Sequence, residues 1–498
     1  MTKTKKPVII MKFGGSCIQD AESFETIKQI LNNYAENSII CVVSALYGIT
    51  DLLIEVTECA SQKQTQGVYK IVKKIENQHQ QFISQLLGEN LKEINNAYKK
   101  IQEIISLLLE TLEEVEEFGI IPYFIDYIMS FGEKLSCILL HLYLSNEGYD
   151  AKFFFGEDFI ITNNEFNNAL PDLELTRKRI ANKLGYLCDA KFRNPITCIT
   201  GFIGRNKIGY TTTLGRGGSD FTATILARCL EDLGWLNAGK IILWKDVAGI
   251  LSGNPKYFQN PHLIRRLNYV EAKAIAALGA KVLHQKCLAI IEHQHIPVEI
   301  RKFEQPSANF SDFTLISPAI SKDKIKGISV IANKSVISIE SPTLLMEPSF
   351  VAAIFEFFAS HNISSILCHE SITQDSISFL IDEEINNSTI DLLRDSIKLS
   401  SEWIKVHRYD VGVISLIIDQ AYYLPIFHHI TSQFIQQHIS PISFLLSPTN
   451  THISFIVARE ETIKIANALD EICKNINVES FCEPIHPPLK IENLEVVL

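Results

Sequence analysis

The chain has 498 residues, 46% hydrophobic and 21% charged, and its 46 basic against 57 acidic residues give a net charge of −11. That length holds roughly two or three domains with substantial cores, and the composition is that of an ordinary globular protein, neither disordered nor fibrous. A net negative surface repels polyphosphate backbones, so no nucleic-acid partner is expected, and no apolar run approaches the ~18 residues of a membrane span.

In chain order, PVIIMKF (7–13) predicts an apolar strand, followed by a Gly-Gly turn and a helix with Phe24, Ile27 and Ile30 or Leu31 on one face. SIICVVSAL (38–46) predicts a second buried strand. This order points to parallel strands covered by helices. From about 55 to 118 the pattern breaks, because Ile94, Tyr98, Ile101, Ile105, Leu108, Leu112 and Val115 recur at helical spacing with Lys and Glu between them. A helical hairpin or small bundle inserted into the α/β unit is expected there. SFGEKLSCILL (130–140) places Glu133 at or near a helix start, and strands resume at 151–155, 195–204 and 241–247.

The last third repeats itself. VIS at 336–338 recurs at 413–415, and ISF at 377–379 recurs at 453–455, offsets of 77 and 76 residues. Each copy reads strand, helix, strand, strand, helix, which predicts two small α+β modules of equal length. Paired modules of this kind commonly bury small ligands, so a regulatory role is expected of them. The eleven cysteines are scattered, odd in number and never spaced C-x-x-C. That speaks against a disulfide framework or a zinc site and fits reduced thiols in the cytoplasm. The N-terminal apolar run is shorter than a signal-peptide core.

Two stretches carry chemistry. In MKFGGSC (11–17) a lysine ends a strand beside two glycines and a helix start, so a fixed cation stands next to exposed backbone N–H groups. That arrangement suits a phosphate. The common P-loop pattern, G-x-x-x-x-G-K followed by Ser or Thr, is absent. In TTTLGRGGSD (211–220), Arg216 can grip a carboxylate through a bidentate fork. Gly217 and Gly218 let an anion approach the main chain, and Asp220 opens a helix, where it can cap the helix or orient a cation. WKDVAGILSGNPK (244–256) and ALGAKVLH (277–284) add lysines on strand-end loops. In an acidic chain, such clustering suggests a polyphosphate ligand.

KFGGSC, SALYGITDLL, SFGEKLS, GFIGRNKIGYTTTLGRGGSD, WKDVAGI and GAKVLH stand in this order from about residue 7 onward, and with them the chain resembles the aspartate kinases over nearly its whole length. The resemblance implies an α/β fold: a three-layer sandwich amino-acid kinase domain over 1–310 with a helical insertion at about 55–125. Two α+β ACT-type (ferredoxin-like) modules would follow at 320–400 and 405–498, sequential or interleaved. It implies transfer of the γ-phosphoryl group of MgATP to the β-carboxylate of L-aspartate, the first step of lysine, threonine and methionine biosynthesis. Lys12 would stabilise charge on the moving phosphoryl group, and Asp220 would organise the site around Lys12 and the nucleotide. Glu133 and Arg216 would hold the substrate's α-amino and α-carboxylate groups, with Ser44, Thr50, Gly217, Gly218 and Ser219 completing the substrate site. Nucleotide contacts would come from Lys12, Phe13, Gly14, Gly15, Lys245, Asp246, Leu251, Lys256, Lys281 and Val282. Mg2+ would be held mainly through the nucleotide phosphates, with no metal ligands supplied by the protein.

The implied partners are L-aspartate and ATP, an amino-acid effector at the ACT-type modules, and further copies of the chain in a homodimer or higher homo-oligomer. Leu251 and Asn254-Pro255-Lys256 stand where an aromatic residue and Asp-Pro-Arg are frequent in the family. Ile366 and Ile372 stand where lysine-sensitive members have acidic residues, so lysine is not carried over as the effector. Two alternatives use the same fold: a catalytically weak amino-acid-sensing protein, and another carboxylate kinase.

Overall fold

A computed structural model describes residues 7–188, 195–278, 282–304, 312–319, 323–341, 348–361, 363, 365–371, 376–381, 387–398, 404–447 and 449–476. The chain forms two compact units. One comprises 1–250, 263–277 and 281–321, and the other 251–262, 278–280 and 322–498.

The first unit begins with β1 (Val8–Phe13), α1 (Ala21–Asn32) and β2 (Ser38–Val43), both strands buried along their whole length. Four helices follow: α2 (Ile49–Ser61), α3 (Thr65–Leu86), α4 (Leu91–Phe118) and α5 (Pro122–Asn146). The apolar positions read at helical spacing lie along α4, where Ile101, Ile105, Leu108, Leu112 and Val115 are buried. Next come β3 (Ala151–Phe154), β4 (Ile161–Thr162), α6 (Leu173–Lys183), β5 (Ile196–Thr200), β6 (Ile203–Asn206) and β7 (Thr211–Thr213). The unit ends with α7 (Gly218–Asp232), β8 (Lys240–Lys245), β9 (Arg266–Leu267), α8 (Tyr269–Ala277), α9 (Gln285–Ala289), β10 (Val298–Lys302) and β11 (Phe313–Ile316).

Eight strands form one sheet in the order β3-β5-β2-β1-β8-β10-β11-β9. All its pairings are parallel except β10–β11. Side chains alternate across a strand. Ile9, Met11 and Phe13 pack into the core shared with α1 and with α2 to α5. Ile10 and Lys12 therefore face the opposite side, where α7 lies. Helices on both faces make the three layers.

The structure departs from the sequence pattern at two places. The single strand expected over 195–204 divides into β5 and β6, because Phe202 between them adopts a left-handed backbone with φ of 69°. Glu133 is not near a helix start. α5 starts at Pro122, at the position where proline's missing N–H costs nothing, so Glu133 sits mid-helix and buried.

The second unit contains β12 (Ile325–Glu340), α10 (Pro348–Ser360), β13 (Ser365–Ser371), β14 (Ser376–Ile381) and α11 (Asn387–Lys398). It continues with β15 (Lys405–Ile418), α12 (Tyr423–Gln436), β16 (Ser443–Leu446), β17 (His452–Ala458) and α13 (Thr462–Asn475). The sheet order is β13-β14-β12-β15-β17-β16. β12 and β15 are long enough to serve two cores. Ile337, Ile339 and Val406 pack with α10 and β14 residues such as Ile354 and Phe379, whereas Ile328, Ile414 and Leu416 pack with Ile430, Phe455 and Leu469. The β12–β15 register slips between Ile331 and Lys334, where one core gives way to the other. The loop 251–262 belongs here as well: Ile328 N–H donates to the Ser252 carbonyl (2.7 Å), and Phe258 is buried in the second core.

Gly132 lies in the interior of α5, where glycine costs about 1 kcal/mol relative to alanine. It is there because a Cβ would stand 2.8 Å from the Ala45 Cβ and 3.3 Å from Leu53 Cδ1. Gly132→Val should therefore destabilise the first unit by about 1–3 kcal/mol through overpacking. The check is the thermal midpoint; a midpoint equal to wild type would show that α5 does not need this approach.

Candidate active site

Lys12 is the penultimate residue of β1, and Asp220 lies in the first turn of α7. The Lys12 Nζ stands 2.9 Å from Asp220 Oδ1. The parallel register pairs Lys12 with Leu243, so Lys245, two residues on, faces the same side of the sheet. Its Nζ meets Asp220 Oδ2 at 2.6 Å. Of the two uses the sequence allows Asp220, capping α7 or orienting a cation, the structure shows the second: Gly217 is the cap residue, and the Asp220 carboxylate is committed to the two ammonium groups. Burial works against the Asp220 charge, but the two lysines outweigh it and hold its pKa below the ordinary value. Burial pulls Lys12 down while Asp220 more than restores it, leaving Lys12 above the usual lysine range. Lys245 falls below that range, since burial and the neighbouring Lys12 exceed the attraction of Asp220. Two cations share one anion, so the cluster carries a surplus positive charge.

Two turns bring the main chain to this cluster. Gly217 has φ of 68°, which a side chain disfavours, and the turn it makes puts Ser219 and Asp220 into the first turn of α7. At Gly14 a Cβ would lie 3.2 Å from Lys12 Nζ, so the bare backbone keeps the ammonium accessible.

Around these elements lies a cavity of about 570 Å3. Lys12, Gly15, Ser44, Thr50, Glu133, Arg216, Gly217, Gly218, Ser219 and Asp220 all line it. The Ser44 hydroxyl donates to Ser219 Oγ (2.9 Å), and Ser136 Oγ on α5 donates to the Ser44 carbonyl (2.6 Å). Arg216 is exposed, and its guanidinium makes no ion pair among the described residues. Glu133 is the opposite: burial pushes its carboxyl up to about 8, although hydrogen bonds from the Ala45 and Glu133 backbone and the charge of Lys12 pull it down.

Other expected residues fall outside the cavity lining. Phe13 is wholly buried with its ring parallel to Trp244, so its side chain is part of the core. Asp246 is exposed and Val282 half-buried. Leu251 and Lys256 belong to the second unit, and Lys281 lies outside the described residues. Sequence reasoning missed Asn167 and Phe202, which line the cavity with φ of 65° and 69°. The Asn167-Asn168 pair was the legible signal for the first, since asparagine tolerates left-handed backbone; nothing marked Phe202. Among the described residues no three His, Cys, Asp or Glu side chains gather to hold a metal ion.

The family model described as the amino acid kinase family matches residues 7–302, more than half of the chain. The chain belongs to that family. This amino acid kinase is 28% identical over 390 residues to lysine-sensitive aspartokinase 3 of Escherichia coli (strain K12), covering 78% of this chain and 81% of that one. It is 26% identical over 457 residues to the aspartokinase of Chlamydia pneumoniae, covering 91% and 94%. Its fold matches that of the E. coli aspartokinase III crystallised with lysine and aspartate, with a TM-score of 0.75 at 23% identity over 93% of this chain and 99% of that one. The aspartate kinase of Clostridium acetobutylicum matches over the same shares with a TM-score of 0.73 at 23% identity. The matched domain thus has an α/β amino-acid kinase fold, and the α+β sheet built on β12 and β15 comes after it in the chain. No helix among the described residues is long and apolar enough to cross a membrane.

In this amino acid kinase the folded state holds the Glu133 proton up to about pH 8, whereas the unfolded chain releases it near 4.5. The folded state therefore binds the extra proton between those values, and Glu133 makes stability fall as pH rises across that window. Glu133→Gln should remove this slope and leave the variant more stable than wild type at pH 8. Urea midpoints at pH 5, 6.5 and 8 measure it; parallel pH profiles for the two proteins would refute the assignment.

Proposed function

We propose that this amino acid kinase is an aspartate kinase, producing 4-phospho-L-aspartate and ADP from L-aspartate and MgATP, a phosphotransferase with a carboxyl acceptor. One observation carries the reading: a carboxyl group (Glu133) and a guanidinium without an ion pair among the described residues (Arg216) share a cavity with the Lys12–Asp220 pair. The first two complement the α-ammonium and α-carboxylate of an amino acid, and the lysines complement a phosphoryl group. The names of the E. coli and C. pneumoniae relatives agree with it.

An oxygen of the substrate β-carboxylate attacks the γ-phosphorus. A new P–O bond forms, the bond to the β-phosphate oxygen breaks, and ADP leaves with the electron pair. The carboxylate is already ionised, so no general base is needed. What the chain must do is hold two anions together and offset their repulsion. Arg216 anchors the α-carboxylate through a fork, Glu133 receives the α-ammonium, and Lys12 and Lys245 place positive charge beside the transferring group. Magnesium, carried on the nucleotide phosphates, supplies further neutralisation. The backbone of Phe13, Gly14 and Gly15, with Asp246 and Val282, belongs to the proposed nucleotide site. For Leu251, Lys256 and Lys281 the proposal rests on the sequence resemblance alone.

The ACT-type modules are proposed to bind an amino-acid effector and to pair copies of the chain. Ile366 falls in β13, and Ile372 lies outside the described residues. Neither residue type can receive a lysine ammonium, and a buried unpaired ammonium is costly. Lysine should therefore leave initial rates unchanged, unlike the lysine-sensitive E. coli relative; inhibition by lysine in a coupled ADP-release assay would overturn this part.

Hydroxylamine trapping of acyl phosphate, with L-aspartate, L-glutamate and N-acetyl-L-glutamate compared, tests the function. Hydroxamate should form with aspartate, and its absence would favour a sensing protein. Arg216→Ala should cost about 2–5 kcal/mol in kcat/KM for aspartate with the ATP KM little changed. Lys12→Ala should lower kcat by about 10²–10³. Below about pH 8 Glu133 carries its proton in the ligand-free site, so an incoming ammonium group meets an acceptor oxygen but no opposing charge until that proton leaves. The aspartate KM should therefore fall as pH rises toward that value, and a flat profile from pH 6 to 8 that Glu133→Gln leaves unchanged would exclude Glu133 as the ammonium partner.

A further inference from the structure

Asp126 is a buried carboxylate, 1% exposed, that does not line the cavity. An ionised group in such a place is costly unless its lone pairs are filled. Among the described residues they are filled by two segments. The Asn167 N–H donates to both of its oxygens (3.0 and 2.9 Å), the Thr213 N–H to Oδ2 (2.6 Å) and the Thr213 hydroxyl to Oδ1 (2.9 Å). Asn167 lines the cavity directly, and Thr213 is the last residue of β7, three residues before Arg216. The same two segments are joined by the Ala169 N–H donating to the Thr213 carbonyl (2.9 Å). On their far side Lys286 donates to the Leu214 carbonyl and, at 3.5 Å, to Asn168 Oδ1. The intervening Gly215 has φ of 69°, and a Cβ there would meet Asn167 O at 2.8 Å.

Asp126 and Glu133 are seven residues apart on α5, two helical turns, so they project from one face of the same rigid rod. We propose that Asp126 is a positioning residue for the amino-acid clamp: by gripping Thr213 and Asn167 from α5, it fixes the distance between Glu133 on that helix and Arg216 on the loop. Arg216 is exposed and makes no ion pair of its own among the described residues, so the loop backbone is what sets its place. The inference rests on the proposed roles of Glu133 and Arg216, and it adds to them the element that holds the pair in register.

Asp126→Asn keeps the size but turns an amide donor toward N–H groups that need an acceptor. The expected result, on the full-length chain, is a rise of at least about tenfold in the L-aspartate KM, with the ATP KM within about twofold of wild type. Hydrogen exchange in the ligand-free protein should quicken at the amides of 167 and 213–217. A merely structural role would lower the active fraction and leave both KM values in place. Thr213→Val, which removes a single hydroxyl donor, should shift the aspartate KM the same way by less, and it carries both readouts if the asparagine variant does not fold. Equal changes in the two KM values, or unaltered exchange over 213–217, would overturn the proposal. If wild type forms no aspartyl hydroxamate the proposed function fails instead, and the exchange measurement still decides the clamp.

Discussion

The Asp220 carboxylate, held between the ammonium groups of Lys12 and Lys245, is the constraint on which the first unit depends. Its three members come from α7, β1 and β8, and their side chains are buried or nearly so. Each would be unfavourable in that place by itself, and removing Asp220 would leave two buried ammonium groups without an anion, which costs far more than the pairing contributes. The arrangement therefore fixes α7 against the ends of two neighbouring parallel strands. It also leaves one positive charge beyond neutrality at the strand ends, where ligands bind in open α/β sheets. The same interaction that seats the helix makes the site attractive to a phosphoryl group.

The other wall of the cavity is the work of α5, whose polar residues are buried for separate reasons. Glu133 opens onto the cavity, Asp126 grips Asn167 and Thr213, and Lys134 pairs with Glu157 at 3.2 Å. Glu157 in turn accepts from the Thr211 hydroxyl at 2.8 Å. Both ends of the short strand β7 are thus tied to α5 through carboxylates. Ser136 adds a bond to the Ser44 carbonyl at the end of β2. A helix with so many inward polar groups needs close packing to hold it, and Gly132 supplies that by letting its backbone approach Ala45.

In the second unit two long strands replace a linker. β12 and β15 each run through both cores, so the halves share one continuous hydrogen-bonded ladder. Perturbing one half therefore shifts strands that the other half needs. The loop 251–262 shares this core through Phe258.

Much of this was legible in the residues. Unbroken apolar runs announced parallel strands, spaced apolar positions along 94–115 announced α4, and the offsets of 76 and 77 residues announced paired modules. The GRGGSD and KFGG stretches marked the site because glycine beside fixed charge has few other uses. The sequence could not show that Glu133 lies mid-helix, that Asp220 takes Lys245 as well as Lys12, that Asn167 and Phe202 line the cavity, or that Asp126 grips Asn167 and Thr213. Those facts depend on groups distant along the chain: Lys245 reaches Asp220 through strand register, and Asp126 reaches Thr213 across 87 positions. Local pattern determines which segments become helix or strand and which turns leave backbone bare. Burial, partner and protonation state are set only when the sheet and helices close, because each is a property of what lies opposite the residue and not of its neighbours in sequence.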